Sequence, residues 1–145
     1  MKKQIRILIL PLIALILEIL PYGAVCNFMR PSADGTSVGR FRELYSYFDL
    51  TPFGYANFAP MITAVLTCVL VLLIVIYCFT GRPGLFNTIR TFVWICTVIS
   101  LGPLVLGIRF YSVVGGLITM AFIAELVLLF LKTGAYKNTQ FDERL

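Results

Sequence analysis

The chain has 145 residues, of which 59% are hydrophobic and only 13% charged. Charged residues alone make up about a quarter of an ordinary soluble domain, so this composition excludes one. The formal net charge is +5 and there is no histidine, which excludes Ser-His catalysis, imidazole metal sites and His-ligated haem.

In chain order, Met1–Arg6 is basic and Ile7–Phe28 is apolar except for Glu18 and Asn27. A basic start and an apolar run resemble a signal peptide, but Glu18, Pro21 and the poor cleavage site Ala24-Val25-Cys26 argue for a retained helix kinked at Pro11. Phe58–Phe79 then runs for 22 residues without a charge, and Thr91–Ile108 for 18. Phe110–Leu131 spans a further 22, broken only by Glu125. A bilayer core about 30 Å thick needs roughly 20 apolar residues of helix, and each stretch approaches that. Backbone polar groups in hydrocarbon must be satisfied within their own segment, so helices are expected.

The expected fold is therefore an all-α integral membrane protein, a four-transmembrane-helix bundle forming one domain over residues 1–145. Its spans are placed at about 7–28, 58–79, 88–108 and 112–132, with an outer loop at 29–57 and a cytoplasmic tail at 133–145. This arrangement puts Lys2, Lys3, Arg6, Arg82, Arg90, Lys132, Lys137 and Arg144 on one side, against Arg30, Arg40, Arg42 and Arg109 on the other. The asymmetry predicts a plasma-membrane protein with both termini and the Arg82–Arg90 segment in the cytoplasm. The basic balance is thus topological, and nucleic acid is assigned no role.

Within the outer loop, Val38, Phe41, Leu44, Tyr45 and Phe48 recur at spacings of three and four, which predicts a short amphipathic helix. The aromatic run Phe41, Tyr45, Tyr47, Phe48, Phe53, Tyr55 and Phe58 suits the headgroup level, so the helix is expected to lie flat on the outer surface. Phe41, Tyr45, Phe48, Phe53 and Tyr55 are the candidate outer-loop interface. Thr80-Gly-Arg-Pro-Gly is a tight turn, with Pro83 and Gly84 expected to end the second helix. Pro103 should loosen the third helix near its outer end. Ser112, Gly115, Gly116 and Thr119 form a stripe of small residues for close helix packing, within the bundle or in a homodimer.

Three intramembrane charges have the most functional content. A carboxylate inside a span costs about 2.5–3.5 kcal/mol on insertion scales, so Glu18 and Glu125 should face protein or water. Their depths differ, which argues against a direct pair, and Arg109 is the expected mate of Glu18. Cys68, Cys78 and Cys96 fall inside spans and no C-x-x-C occurs, so the thiols read as buried structural groups and no metal or other cofactor is expected.

A carboxylate in the first of four short helices resembles the small multidrug resistance transporters, in those two respects only. The placement of the outer loop resembles claudin-like four-helix proteins, although their first-loop Trp and paired Cys are absent, the only Trp being Trp94. Neither resemblance carries a residue over. The expected function is that of a non-catalytic accessory or interaction subunit, acting in the lipid bilayer through its aromatic outer loop on a membrane-protein partner. The alternative is a small oligomeric transporter or channel using Glu18 and Glu125. An enzyme is not expected, because no nucleophile–base pair or metal constellation is present.

Overall fold

The computed structural model describes residues 2–31, 38–50 and 57–142. Helix α1 (Lys2–Ile19) leads into a hairpin of β1 (Ala24–Pro31) and β2 (Val38–Tyr45). Helix α2 (Ala59–Thr80), helix α3 (Pro83–Ser100) and the single turn α4 (Gly102–Val105) follow. A 3-10 turn at Ile108–Phe110 precedes the long helix α5 (Val113–Asp142).

The first expected span is shorter than the apolar run that suggested it. Leu20 precedes Pro21, whose ring disfavours a helical conformation in the residue before it, and α1 stops at Ile19. The remaining Ala24–Phe28 part of that run is strand. Its partner, Val38–Tyr45, is the segment read as a surface helix, and that expectation is corrected. β1 and β2 pair antiparallel, with Ala24 opposite Tyr45, Asn27 opposite Arg42 and Phe28 opposite Phe41. Eight residues are too few for a stable isolated helix, and Gly39 weakens one further. Pairing with a strand satisfies the same backbone groups, and it stacks Phe28 on Phe41 with ring centroids 5.4 Å apart.

Three helical segments are long and apolar enough to cross a membrane: Ala59–Thr80, Pro83–Val105 and Val113–Lys132. The charges on Lys2, Lys3, Arg6 and Glu18 set α1 apart from them. α2 and α3 are joined almost directly. Gly81 takes the left-handed conformation (φ 62°), and its N–H closes α2 on the carbonyl of Tyr77 at 2.9 Å. Pro83 then opens α3 instead of ending α2, so the third segment starts five residues before the expected 88. Leu101 interrupts α3 just before Pro103, as proline chemistry requires. α5 does not end at Lys132, where a tail was expected, but continues to Asp142.

The four long helices pack as a closed ring, α1 against α2 and α5, and α3 against α2 and α5. Ala14, Leu70, Ile74, Ile89, Val93, Cys96, Ile118, Phe122 and Leu129 fill its centre. The outward side chains of α2, α3 and α5 are also apolar, among them Leu72, Phe79, Val98, Val113 and Leu131. A helix apolar on all sides in so small a protein is matched to a hydrocarbon surround. The hairpin caps one end of the ring and the Gly81 turn lies at the other.

Candidate functional site

The hairpin end of the ring is where buried polar groups gather. Ser46 and Tyr47 follow β2 in a turn closed by their own neighbours: Ser46 N–H donates to Asp49 Oδ2 at 2.7 Å and Phe48 N–H to Ser46 Oγ at 3.0 Å. The turn rests on the end of α1. The Glu18 carbonyl accepts the Tyr47 N–H and the Ser46 hydroxyl, each at 3.0 Å. An orphan helix-terminal carbonyl is thereby satisfied by the hairpin.

Tyr47 is 1% exposed and is the largest fully buried side chain among the described residues. Its ring lies against Gly23, where an added Cβ would come within 2.8 Å of it, and its hydroxyl reaches Gly115. Burial pushes the Tyr47 phenol up from its ordinary range. Behind it, Ser112 Oγ donates to the Gly23 carbonyl, and Tyr111 donates its hydroxyl to Thr119 Oγ1 at 2.7 Å. The small stripe Ser112, Gly115, Gly116 and Thr119 is therefore occupied within the chain: Ser112 and Gly115 face Gly23 and Tyr47, and Gly116 and Thr119 face Tyr111.

Below Tyr47 lies Glu18, wholly enclosed. Its Oε1 is 2.7 Å from the Thr67 hydroxyl of α2, whose oxygen is also 2.9 Å from the carbonyl of Thr63. Oε2 has no hydrogen-bond partner among the described residues. The expected Glu18–Arg109 pair does not form. Arg109 is exposed on the 3-10 turn, where its carbonyl accepts from Asn27 Nδ2 at 3.3 Å. The chain's reversal there directs Arg109 to the hairpin, and the partner of Glu18 comes instead from the adjacent helix.

Glu125 is also wholly enclosed, and neither of its oxygens has a hydrogen-bond partner among the described residues. It does not meet Glu18. Lys132, two turns further along α5, directs its ammonium over the rings of Tyr77 and Phe86, at 5.9 and 5.5 Å from their centroids.

Of the expected interface, Phe41 and Phe48 are exposed and Tyr45 is half-buried, while Phe53 and Tyr55 lie outside the described residues. Tyr45 donates its hydroxyl to Glu43 Oε2, and that hydrogen bond pushes its phenol up to about 12. Met29, Leu44 and Leu50 join the exposed apolar group. The hairpin is held from a second side by Arg42, which donates to the Tyr111 carbonyl at 3.4 Å.

Sequence reasoning counted Tyr47 only as one aromatic among seven and did not single out Gly23 or Ser46. The available signal was Ser46-Tyr-Phe-Asp49, with Ser and Asp three apart, which is turn chemistry and marks the end of a strand. Among the described residues no three His, Cys, Asp or Glu side chains gather to hold a metal ion. Comparison with protein-family models, with curated proteins and with solved structures finds no match.

Proposed function

We propose that this chain is a small tetraspan protein of the plasma membrane that works as a non-catalytic interaction subunit, binding a membrane-protein partner through its outer hairpin. The observation that carries the reading is a hairpin held firmly yet apolar outside. Bonds from the Ser46 hydroxyl and the Tyr47 N–H to the Glu18 carbonyl, and contacts of Asn27 and Arg42 with residues 109–111, hold it in place. Met29 at 68% exposure and Leu44 on one face of the hairpin, Phe41 on the other, and Phe48 and Leu50 (85%) in the turn that follows are nevertheless exposed. Exposed apolar side chains on a hairpin fixed in this way, beside the charges of Arg42 and Glu43, supply the apolar contacts and polar surround that an interface uses.

α1 is the fourth span in this reading. It packs between α2 and α5, and Ile9, Leu12, Ile13, Ile16 and Ile19 on its outer side are exposed, as lipid-facing residues would be. Both termini and the Gly81 turn then lie in the cytoplasm, on the side richer in Lys and Arg.

A photo-crosslinking residue at Phe48 or Leu44, compared with one at Ile16, tests the proposal in native membranes. A discrete protein adduct from the hairpin positions, lost on Phe41→Ser, is the expected result. Adducts confined to lipid at all three positions would refute it.

A second reading, a small transporter or channel using Glu18 and Glu125, is favoured by their enclosed and unsatisfied carboxyl oxygens. Flux in vesicles that is lost in Glu18→Gln but not in Phe41→Ser would replace the first reading with this one.

A further inference from the structure

The donors around Glu18 do not suit a carboxylate. An ionised carboxyl accepts at about four lone-pair sites, and in a buried setting it needs most of them answered. Here Oε2 has no donor and Oε1 meets one hydroxyl, that of Thr67. That hydroxyl has a single hydrogen and two claimants. Helical threonines elsewhere in the bundle point theirs back one turn: Thr63 to the Ala59 carbonyl at 2.8 Å, Thr97 to Val93 at 2.8 Å and Thr119 to Gly115 at 3.0 Å. Thr67 makes the same bond to Thr63 at 2.9 Å, which leaves only lone pairs for Glu18 Oε1 at 2.7 Å. Two oxygens at that distance require a hydrogen between them, and Glu18 is the remaining source.

The surrounding charges agree. Among the described residues, Cys68 from α2, Cys96 from α3 and Tyr47 from the hairpin turn feel the charge of Glu18. None of them is a cation. From α5 the nearest ionisable side chain in sequence is Glu125, which lies nearer the opposite end and makes no hydrogen bond with Glu18.

We infer that Glu18 is a proton-binding site: its carboxylic acid donates to Thr67 Oγ1, Thr67 donates onward to the Thr63 carbonyl, and release of the proton unseats the hairpin turn. The coupling follows from where Glu18 is enclosed. The residue whose side chain holds the proton is the one whose carbonyl accepts Tyr47 N–H and Ser46 Oγ–H. Ionisation drives the carboxylate toward water, and because Glu18 is wholly enclosed where the Ser46–Tyr47 turn rests on the end of α1, reaching water requires that turn to lift from the Glu18 carbonyl.

The test uses the full chain in lipid nanodiscs with 13C-labelled glutamate. At neutral pH the infrared spectrum should contain a carboxylic-acid C=O band that loses a component in Glu18→Gln, while Glu125→Gln leaves that component in place. Thr67→Val should shift the component upward in frequency, because its hydrogen bond is gone. Carbodiimide labelling of the wild-type chain gives a second reading that needs no variant. The O–H of the protonated carboxyl adds across a C=N bond of dicyclohexylcarbodiimide, the O-acylisourea rearranges to a stable N-acylurea, and peptide mass mapping should locate that adduct at Glu18. As pH is raised, loss of the Glu18 component and loss of hydrogen-exchange protection at the Tyr47 amide should share one midpoint. The inference is overturned if no component belongs to Glu18 and no adduct forms there. It is equally overturned if the component titrates while the Tyr47 amide stays protected, or persists until the protein unfolds.

Discussion

A single methyl group added at Gly23 tests how tightly the hairpin is seated. A Cβ there would lie 2.8 Å from Tyr47 Cδ1 and 2.9 Å from Cε1, against the 3.4 Å at which ordinary contact begins. The ring has nowhere to go. Its backbone N–H is bonded to the Glu18 carbonyl, its hydroxyl reaches Gly115, and only 1% of the residue is exposed. Gly23 does not have a left-handed φ, so the cost is one of space and not of backbone strain. Overpacking of this kind costs about 1–3 kcal/mol, and Gly23→Ala should destabilise the protein by that amount. Gly116→Ala is the control, because its Cβ would meet Tyr111 Cε1 at an ordinary 3.5 Å, and inside helix α5 its effect should be neutral or stabilising by up to about 1 kcal/mol. Reversible unfolding by SDS in mild detergent, followed by loss of helical signal, measures both. Trimming the ring with Tyr47→Leu is itself destabilising but should relieve the clash, giving a coupling above about 0.5 kcal/mol in the double variant. A neutral Gly23→Ala, or strict additivity with Tyr47→Leu, would refute the packing argument.

Thr67→Val removes the one hydrogen-bond partner that the Glu18 carboxyl has among the described residues and should cost about 1–3 kcal/mol in the same assay. Thr63→Val removes only a bond within its own helix and should cost less than about 1 kcal/mol. Strand register is tested by oxidising paired cysteines: Met29→Cys with Arg40→Cys should form a disulfide, while Met29→Cys with Phe41→Cys should not, since neighbouring strand residues face opposite ways. Equal yields would restore the surface helix. Ultraviolet titration should show Tyr45 ionising near 12, and Glu43→Gln should return it toward 10. Because the folded value is raised, this contribution to stability is complete below pH 10 and is lost as pH rises through about 12, so stability should fall over that interval in the wild type and change less in Glu43→Gln. Reporter fusions at Gly35 and Leu145 should fall on opposite sides of the membrane, and a shared side would exclude four spans.

Much of the membrane architecture was legible because hydrocarbon imposes a local rule. Every backbone group must be paired within its own segment, so a charge-free run such as Phe58–Phe79 declares itself a helix without reference to any neighbour. The stops were legible only in part: Pro103 accompanies the expected break after α3, whereas α1 ends at Ile19 instead of reaching Phe28, and α2 is capped by Gly81 while Pro83 opens α3. The carboxyls were legible as exceptions to that rule, and Glu18 and Glu125 are enclosed side chains.

The hairpin was not legible, for a physical reason. Val38, Phe41, Leu44 and Phe48 satisfy a helical spacing, but a strand's backbone bonds are made with another segment. The decision therefore rested with Ala24–Pro31, a partner across a turn that periodicity does not see. Likewise the depths of Glu18 and Arg109 suggested a pair that orientation denies: the turn at Ile108–Phe110 presents Arg109 outward, and the ring order brings Thr67 of α2 to Glu18. Sequence alone determined which segments are apolar helices and which side chains are out of place in them, because those properties belong to single segments and their solvent. Only the tertiary structure decided what Glu18 touches, what Gly23 and Gly115 leave room for, and how residues 38–45 satisfy their backbone, because each of those depends on a second segment brought alongside.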